Sequence, residues 1–467
     1  MGCVHAKILI TVSECLPRMS TKKTSGNDES IDRRKILETM AGGSVIAVAG
    51  CLGGDDGGSG DGSGTDDSSG DDSSDRQTVQ FLTMGVGDNI EGFFEENNAQ
   101  FEEEHDVNLE FTSVTWDNAQ QTVNNRVDGG EAPDVARWPA RWIPQLVGKD
   151  ELEPIDELME SDFGDRFYQG MAEGCMYQGS YYGAPWAASN KCLYYNKDVF
   201  EAAGLDPENP QLDTWDDMIA AGEQIRDETD TPALGLAGAD AIETGSQYYH
   251  YHWSHGADLI DDDGNPVVNS DEGVEALTLY SDLHQEYGIT QPSPLSSTRQ
   301  DLRQLFESGE LGMVIAHVYT GINIDAAKEN DEVDFDYGIV QVPAGPEGRY
   351  SLNTIDAISV FAQSEVKDVA EDLLRFYFDP DRHFDYATNK GFMPTVEEVG
   401  DRDYFQESSN WAPYIEAGQY ARARPKLSNF NEFNNRMVQA IQEAVGDQKP
   451  PQQALDDAQS ALEDAME

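Results

Sequence analysis

Seven tryptophans, Trp116, Trp138, Trp142, Trp186, Trp215, Trp253 and Trp411, all fall after Gln77, and most stand beside loop or strand-end signals rather than inside apolar stripes. Flat rings at strand ends suit the holding of a molecule that has an apolar face of C–H groups and a fringe of hydroxyls, as a pyranose has. The densest case is Arg137-Trp138-Pro-Ala-Arg141-Trp142, which follows the strand-like Asp134-Val135-Ala136. An arginine fork holds vicinal hydroxyls or a carboxylate equally well, and the alternative use of Trp138 and Trp142 is a packing lid. Trp116-Asp117 ends a second strand, where the acid is either a helix N-cap or a hydroxyl acceptor. Gln247-Tyr-Tyr-His-Tyr-His-Trp253 is dense in rings, which makes Tyr248, His250 and Trp253 candidate contacts. His250 and His252 share a face only in a strand, and with no third ligand nearby no metal is expected. Trp411 and Arg424 lie in loops that can reach a cleft. Trp215 and Asp217 are read as structural, since Thr214-Trp215 before a helix needs only capping and packing.

No catalytic signature accompanies these rings. Gly-x-Ser-x-Gly, His-Glu-x-x-His and Gly-x-x-x-x-Gly-Lys-[Ser/Thr] do not occur. Glycoside hydrolysis needs two acids about 5 to 9.5 Å apart, and among 89 acids a chance pair is always available. A secreted carbohydrate-active enzyme is therefore the alternative of another class, and incubation with labelled oligosaccharides separates turnover from binding. No cofactor is expected. Lys and Arg number 30 against the 89 acids, a net charge of -59 spread along the whole sequence. Such a surface repels phosphate backbones and anionic lipid heads, which excludes nucleic acid as a partner. The pattern resembles proteins of salt-loving archaea, where the Debye length falls to about 3 Å near 1 M salt.

The five cysteines form no C-x-x-C pair; Cys175 and Cys192, in the folded part, can bridge or stay free. Asp32-Arg33-Arg34-Lys-Ile-Leu-Glu38 and the weakly apolar Met40 to Gly50 have the charged and apolar regions of a signal peptide, too short for a membrane span. The arginine pair resembles a twin-arginine signal, although Asp32 and Glu38 depart from its flanks. Val48-Ala49-Gly50-Cys51 resembles a lipobox, which implies lipidation of Cys51 and an anchor on the extracellular face of the cell membrane. Residues 1–51 are thus read as the signal, with 1–18 upstream of it and translation expected from Met19. Residues 52–76, nearly all Gly, Ser and Asp, cannot bury apolar surface and form an acidic disordered tether.

Beyond the tether, strand-like Thr78 to Leu82, helical Glu91 to Glu104, strand-like Val107 to Phe111 and helical Asn118 to Val127 alternate as in an α/β sheet. Thr214 to Ile225, Val366 to Phe378, Glu432 to Val445 and the stripe after Pro450-Pro451 read as helices. Leu311 to Ala316 and Tyr337 to Pro343 read as buried strands. No repeat at solenoid or propeller periods occurs.

Several short segments, in order over nearly all of Gln77 to Glu467, resemble the family 1 extracellular solute-binding proteins, the group that contains maltose-binding protein. They are Ala132-Pro-Asp-Val135, Tyr182-Gly-Ala-Pro-Trp186, Leu193-Tyr-Tyr-Asn-Lys-Asp198 with Phe200 and Ala203-Gly-Leu205, Thr214-Trp215, Phe306-Glu-Ser-Gly-Glu-Leu-Gly-Met313, Val342-Pro-Ala-Gly-Pro346 and Gly391-Phe-Met-Pro394. The resemblance implies a two-lobed periplasmic-binding-protein-like α/β fold (type II), with mixed sheets flanked by helices. It places hinge crossovers near Leu193 to Asn196, Asn353 to Ile358 and Met393. The N-lobe would be 77–192 plus 355–392, the C-lobe 193–354 plus 393–467, with the solute in the cleft between them.

By the same resemblance Trp138 with Arg141 and the stacking aromatic Tyr319 would meet the solute. Asn190 before one crossover and Asn353 beside another would join them. Maltose-binding protein has an acid where Arg141 falls, which puts a malto-oligosaccharide in doubt. The implied role is a monomeric carbohydrate receptor of an ABC importer, delivering to permease and ATPase subunits and catalysing nothing. A glycerol phosphate ester or a polyamine is the alternative solute.

Overall fold

The computed structural model describes residues 76–84, 88–261 and 263–466. The signal segment, Cys51, most of the tether and the side chains of Trp116 and Asp117 lie outside the described residues. Thr78–Met84 (β1) starts with alternating exposure and is buried throughout from Phe81. A strand covered on both faces sits inside a sheet. Accordingly Asn108–Val114 (β2) and Val135–Pro139 (β3) pair with β1 in parallel on its two edges. Helices Asp88–His105 and Trp116–Asp128 make the connections. Phe94 from the first of them meets Phe81 edge-on at 5.4 Å between centroids.

Met176–Tyr177 (β4) and Ser180–Tyr181 (β5) form a small hairpin before Ala184–Ser189 (β6). Past Asn190 and Lys191 the chain enters Cys192–Asn196 (β7), the centre of a second sheet. Met313–Ala316 (β8) and Tyr337–Val340 (β9) flank β7 antiparallel. Ser351–Val360 (β10) then returns to the first sheet. Its start pairs with Ala421–Ala423 (β11), and its remainder runs antiparallel between β3 and β6, with a register shift between Asp356 and Ala357. Met393 bridges Ala188, and the Thr395 hydroxyl donates to the Pro185 carbonyl at 2.5 Å, so the chain after helix Pro380–Lys390 runs beside β6.

Each sheet has its own apolar core. In the first, Trp186 is enclosed by Tyr386 at 4.6 Å, Tyr377 at 5.7 Å and Phe378 at 5.3 Å. In the second, Trp215 stacks on Tyr251 at 4.0 Å and donates to the Ser254 hydroxyl at 2.8 Å. Thr214 and Asp217 form the expected capping box. Cys175 and Cys192 are free and buried, and burial pushes the Cys175 thiol up to about 12, so both are protonated and unreactive.

Three core histidines tie stability to pH. Burial lowers His250 to about 3, His252 to about 4 and His383 to about 3. The His383 Nε2 accepts the Thr395 backbone N–H at 3.1 Å, which requires a neutral ring, and the His250 Nδ1 faces the Tyr350 carbonyl at 3.1 Å. Below about pH 6.5 the unfolded chain takes up protons that these folded rings refuse. Their contribution is complete above that pH and falls on the order of 1 kcal/mol per pH unit for each as acid is added toward their folded values. Urea unfolding at pH 7 and pH 5 in multimolar KCl, where surface repulsion is screened, is expected to show this loss. A flat profile over that interval would remove the three rings from the balance.

Candidate functional site

Where β3 ends and β10 begins, the two halves of the fold close on a narrow crevice of about 50 Å³. It is lined by Arg141 and Asp356 from the first half and by Asn353, Arg424 and Lys426 from the crossover and the segment after β11. That volume admits a water or two and no sugar, so the halves must part before a solute enters. Their contact is close at Gly391, which caps helix Pro380–Lys390 with a φ of +68°. A Cβ there would come within 3.0 Å of the Tyr319 Cβ and 2.9 Å of the Ile322 Cδ1, so only glycine permits both the turn and the approach.

The crevice is polar by construction. Asp356 pairs with the buried Arg137 at 2.6 Å, and Arg137 also donates to the Met84 carbonyl at 2.6 Å. The Asn353 Oδ1 and the Nε atoms of Arg141 and Arg424 are buried and meet no hydrogen-bond partner among the described residues. Such atoms are costly unless a ligand or water satisfies them. Arg141 rests over the Trp142 ring, 5.5 Å from its centroid, and Arg424 donates to the Ser246 hydroxyl.

A chain of contacts leads from the crevice to Tyr319. Lys191, buried between β6 and β7, donates to the Ser189 carbonyl at 2.8 Å and lies 3.5 Å from the Thr354 hydroxyl, which lines the crevice. The Ser189 hydroxyl meets the His317 Nδ1 at 2.5 Å, and the His317 ring stacks on Tyr319 at 4.9 Å. Burial drives both Lys191 and His317 toward their neutral forms, and the charges of Arg299 and Arg424 add to the shift in each. The half-buried Arg303 guanidinium lies 5.1 Å from the Tyr319 centroid.

Of the expected contacts, the fold thus gathers Arg141, Asn353 and Arg424, with Tyr319 at the end of the chain. Trp116 and Asp117 lie outside the described side chains, and the others lie away from this crevice or sealed in the core. Trp138 is fully buried, donates to the Ser359 hydroxyl at 3.1 Å and packs on Phe361, because β3 is an interior strand and its alternate residue faces the core. Trp186 is enclosed in the same core, and Trp142 is a buried platform beneath Arg141. Tyr248, His250 and Trp253 belong to helix Ile242–Ser254, buried from Thr244 to Ser254. His250 and His252 accordingly bond to different partners rather than to a common ion.

Asn190 is buried in the crossover, where it donates to the Tyr414 carbonyl at 3.1 Å. Trp411 is 2% exposed, packs edge-on against Phe405 and borders a separate groove of about 610 Å³ with Tyr404 and Asp325. A wider groove of about 940 Å³, between 282–296 and 445–447, holds acids and prolines but no lysine or arginine.

Lys191, Asp356, His317, Arg299, Arg303 and Lys426 escape sequence reasoning. A signal exists for two of them: Lys191 and Asp356 each interrupt an otherwise buried run, in Ala184 to Asn196 and in Ser351 to Val360.

Two discontinuous α/β halves that share a long crossover strand and close on a polar crevice define a two-lobed, hinge-closing binding fold. Residues 87–382 match the bacterial extracellular solute-binding protein family, and the chain belongs to that family. It is 31% identical over 377 residues, 80% of this chain and 89% of the other, to a candidate binding protein of Brucella abortus. It is 23% identical over 428 residues, 82% and 92% of the two chains, to the arabinooligosaccharide-binding protein of Halalkalibacterium halodurans. The fold matches an ABC transporter solute-binding protein of Thermotoga lettingae bound to α-D-tagatose, with a TM-score of 0.74, 23% identity and coverage of 84% and 100%. It also matches maltose-bound MalE3 of T. maritima, with a TM-score of 0.72, 21% identity and coverage of 83% and 99%. The two-lobed type II fold and a receptor's role, not an enzyme's, follow for this chain.

Proposed function

We propose that this receptor captures a carbohydrate between its lobes and delivers it to the permease of an ABC importer, whose ATPase subunits supply the work. One observation supports this most directly: Arg141, Asn353 and Arg424, far apart in sequence, line one crossover crevice with donors and an acceptor left unmatched. Unmatched donors and acceptors side by side suit a fringe of hydroxyls. The named relatives of oligosaccharide and sugar specificity support the same solute class. Closure is a population shift, since a solute touching both lobes favours the closed form by its extra contacts.

The receptor works as a monomer on the outer face of the membrane, tethered by a lipid on Cys51 after export through a twin-arginine signal. The lipobox-like Val48 to Cys51 supports the anchor, and among the described residues no helix is long and apolar enough to cross a membrane. Lobe limits of 77–192 plus 355–392 and 193–354 plus 393–467 fit the use of β10 as a crossover. The charge of -59 supports a working environment of high salt, as in salt-loving archaea.

Thermal-shift screening of the mature chain against a carbohydrate panel in multimolar KCl tests the solute class; a panel without one stabilising sugar would sink it. Tyr319→Ala should weaken binding of the sugar found by about tenfold or more, the loss of one stacking plate. The melting temperature should stay within a few degrees, because the ring is half-buried and its apolar contacts are few. Calorimetry at wild-type affinity would take Tyr319 out of the site.

A further inference from the structure

The charge inside the cleft runs against the charge of the chain. Acids exceed bases by 59 in the sequence as a whole. Yet Arg141, Arg424 and Lys426 line the crevice beside the single carboxylate of Asp356, and that carboxylate is already paired with Arg137. Lys191 is buried behind Thr354, its side-chain nitrogen facing the Ser189 and Leu352 carbonyls and the Thr354 hydroxyl. Arg299 stands near enough to both Arg141 and Arg424 for their charges to be felt, and it leans 3.6 Å from Glu243.

Many basic side chains elsewhere sit against acids, as Lys367 does on Glu153 at 2.6 Å and Arg436 on Glu432 at 2.6 Å, while Arg166 and Arg382 donate to backbone carbonyls instead. Arg141 forms no ion pair among the described residues, and Arg424 has only the Ser246 hydroxyl and the Phe430 ring. The charges of Asp356 and Glu243 reach Arg141, and that of Glu243 reaches Arg424, but neither guanidinium is in direct contact with a carboxylate among the described residues. Cations that lack a contacting carboxylate in a closing, water-poor cleft are costly to the empty protein and favour an anion that enters it.

We propose that the solute is an anionic sugar, its carboxylate, sulfate ester or phosphate ester held between the guanidinium groups of Arg141 and Arg424. This rests on the carbohydrate reading and narrows it. The two forks supply planar N–H pairs that match an oxyanion, while Asn353 accepts from a ring hydroxyl. On closure Arg299 raises the positive potential behind the anion.

Calorimetry in multimolar KCl with digalacturonate, glucose 6-phosphate and galactose 6-sulfate, each beside its neutral parent sugar, tests it, with glycerol 3-phosphate as the charged non-sugar. One charged sugar is expected to bind at least a hundredfold more tightly than its parent, and Arg141→Gln and Arg424→Met should each abolish that preference. The empty Arg424→Met protein should also melt higher than the wild type, since one of several crowded cations is gone, as substitutions in binding sites often stabilise.

A neutral parent binding as well as its charged form, unaffected by either substitution, overturns the anion and leaves the carbohydrate reading intact. Binding of glycerol 3-phosphate without any sugar does the opposite, overturning the sugar and keeping the anion. If no probe binds, an Arg424→Met protein that melts no higher than the wild type overturns the proposal, and one that melts higher supports it.

Discussion

Trp138→Ala lowers the unfolding free energy by about 3 to 5 kcal/mol, a large part of the roughly 5 to 15 kcal/mol that holds such a protein together. The ring is fully buried beside Phe361, and its indole N–H is matched by the Ser359 hydroxyl. Truncation removes its apolar contacts, opens a cavity inside the first sheet and leaves a buried hydroxyl without its donor. The protein that still folds should bind its solute with unchanged affinity, because Arg141, three residues on, is carried into the crevice by the turn after Pro139. Urea unfolding and calorimetry on the same preparation check both halves. Wild-type stability with lost affinity would mean that the ring faces the solute after all.

Asp356→Ala is expected to cost a similar amount, about 3 to 5 kcal/mol, by taking a carboxylate away from a buried guanidinium. The Arg137 side chain is 1% exposed and that of its partner 15%, and their 2.6 Å pair links β3 to β10 at the register shift. Salt screens exposed charges and barely reaches this one. The loss should therefore persist from low to multimolar KCl, unlike that of a surface pair such as Lys149 with Asp128. Replacing Arg137 by Met in the same chain should restore most of the stability, since the penalty lies in a buried guanidinium deprived of its carboxylate rather than in the missing contact. Urea midpoints of the empty single and double variants decide it; a double variant no more stable than Asp356→Ala would refute the charge argument.

The local elements are largely legible from the residues. β1, β2, β3 and the helices between them follow the apolar spacing of Thr78 to Ala136, and Thr214 to Asp217 announces its own cap. Ordered segments from Ala132 to Pro394 are enough to suggest the family. The rings mislead because aromatic density marks a core and a sugar platform equally, and Gln247 to Trp253 carries no sign that its helix is buried on every side. Arg141, Asn353 and Arg424 each stand out as candidates, but nothing in their spacing says that they meet.

What the sequence determined alone is what depends on composition and on neighbours along the chain: periodicity, capping and the excess of acids. The tertiary structure decided that β3 is buried on both faces and which lysine is sealed behind a hydroxyl. It also decided that cations from the turn after β3 and the segment after β11 converge on one crevice, with Arg299 near enough for its charge to act on Arg141 and Arg424. The reason is physical, since burial and electrostatic potential are sums over atoms brought close by folding, and residues hundreds of positions apart enter those sums only after the crossovers have placed them.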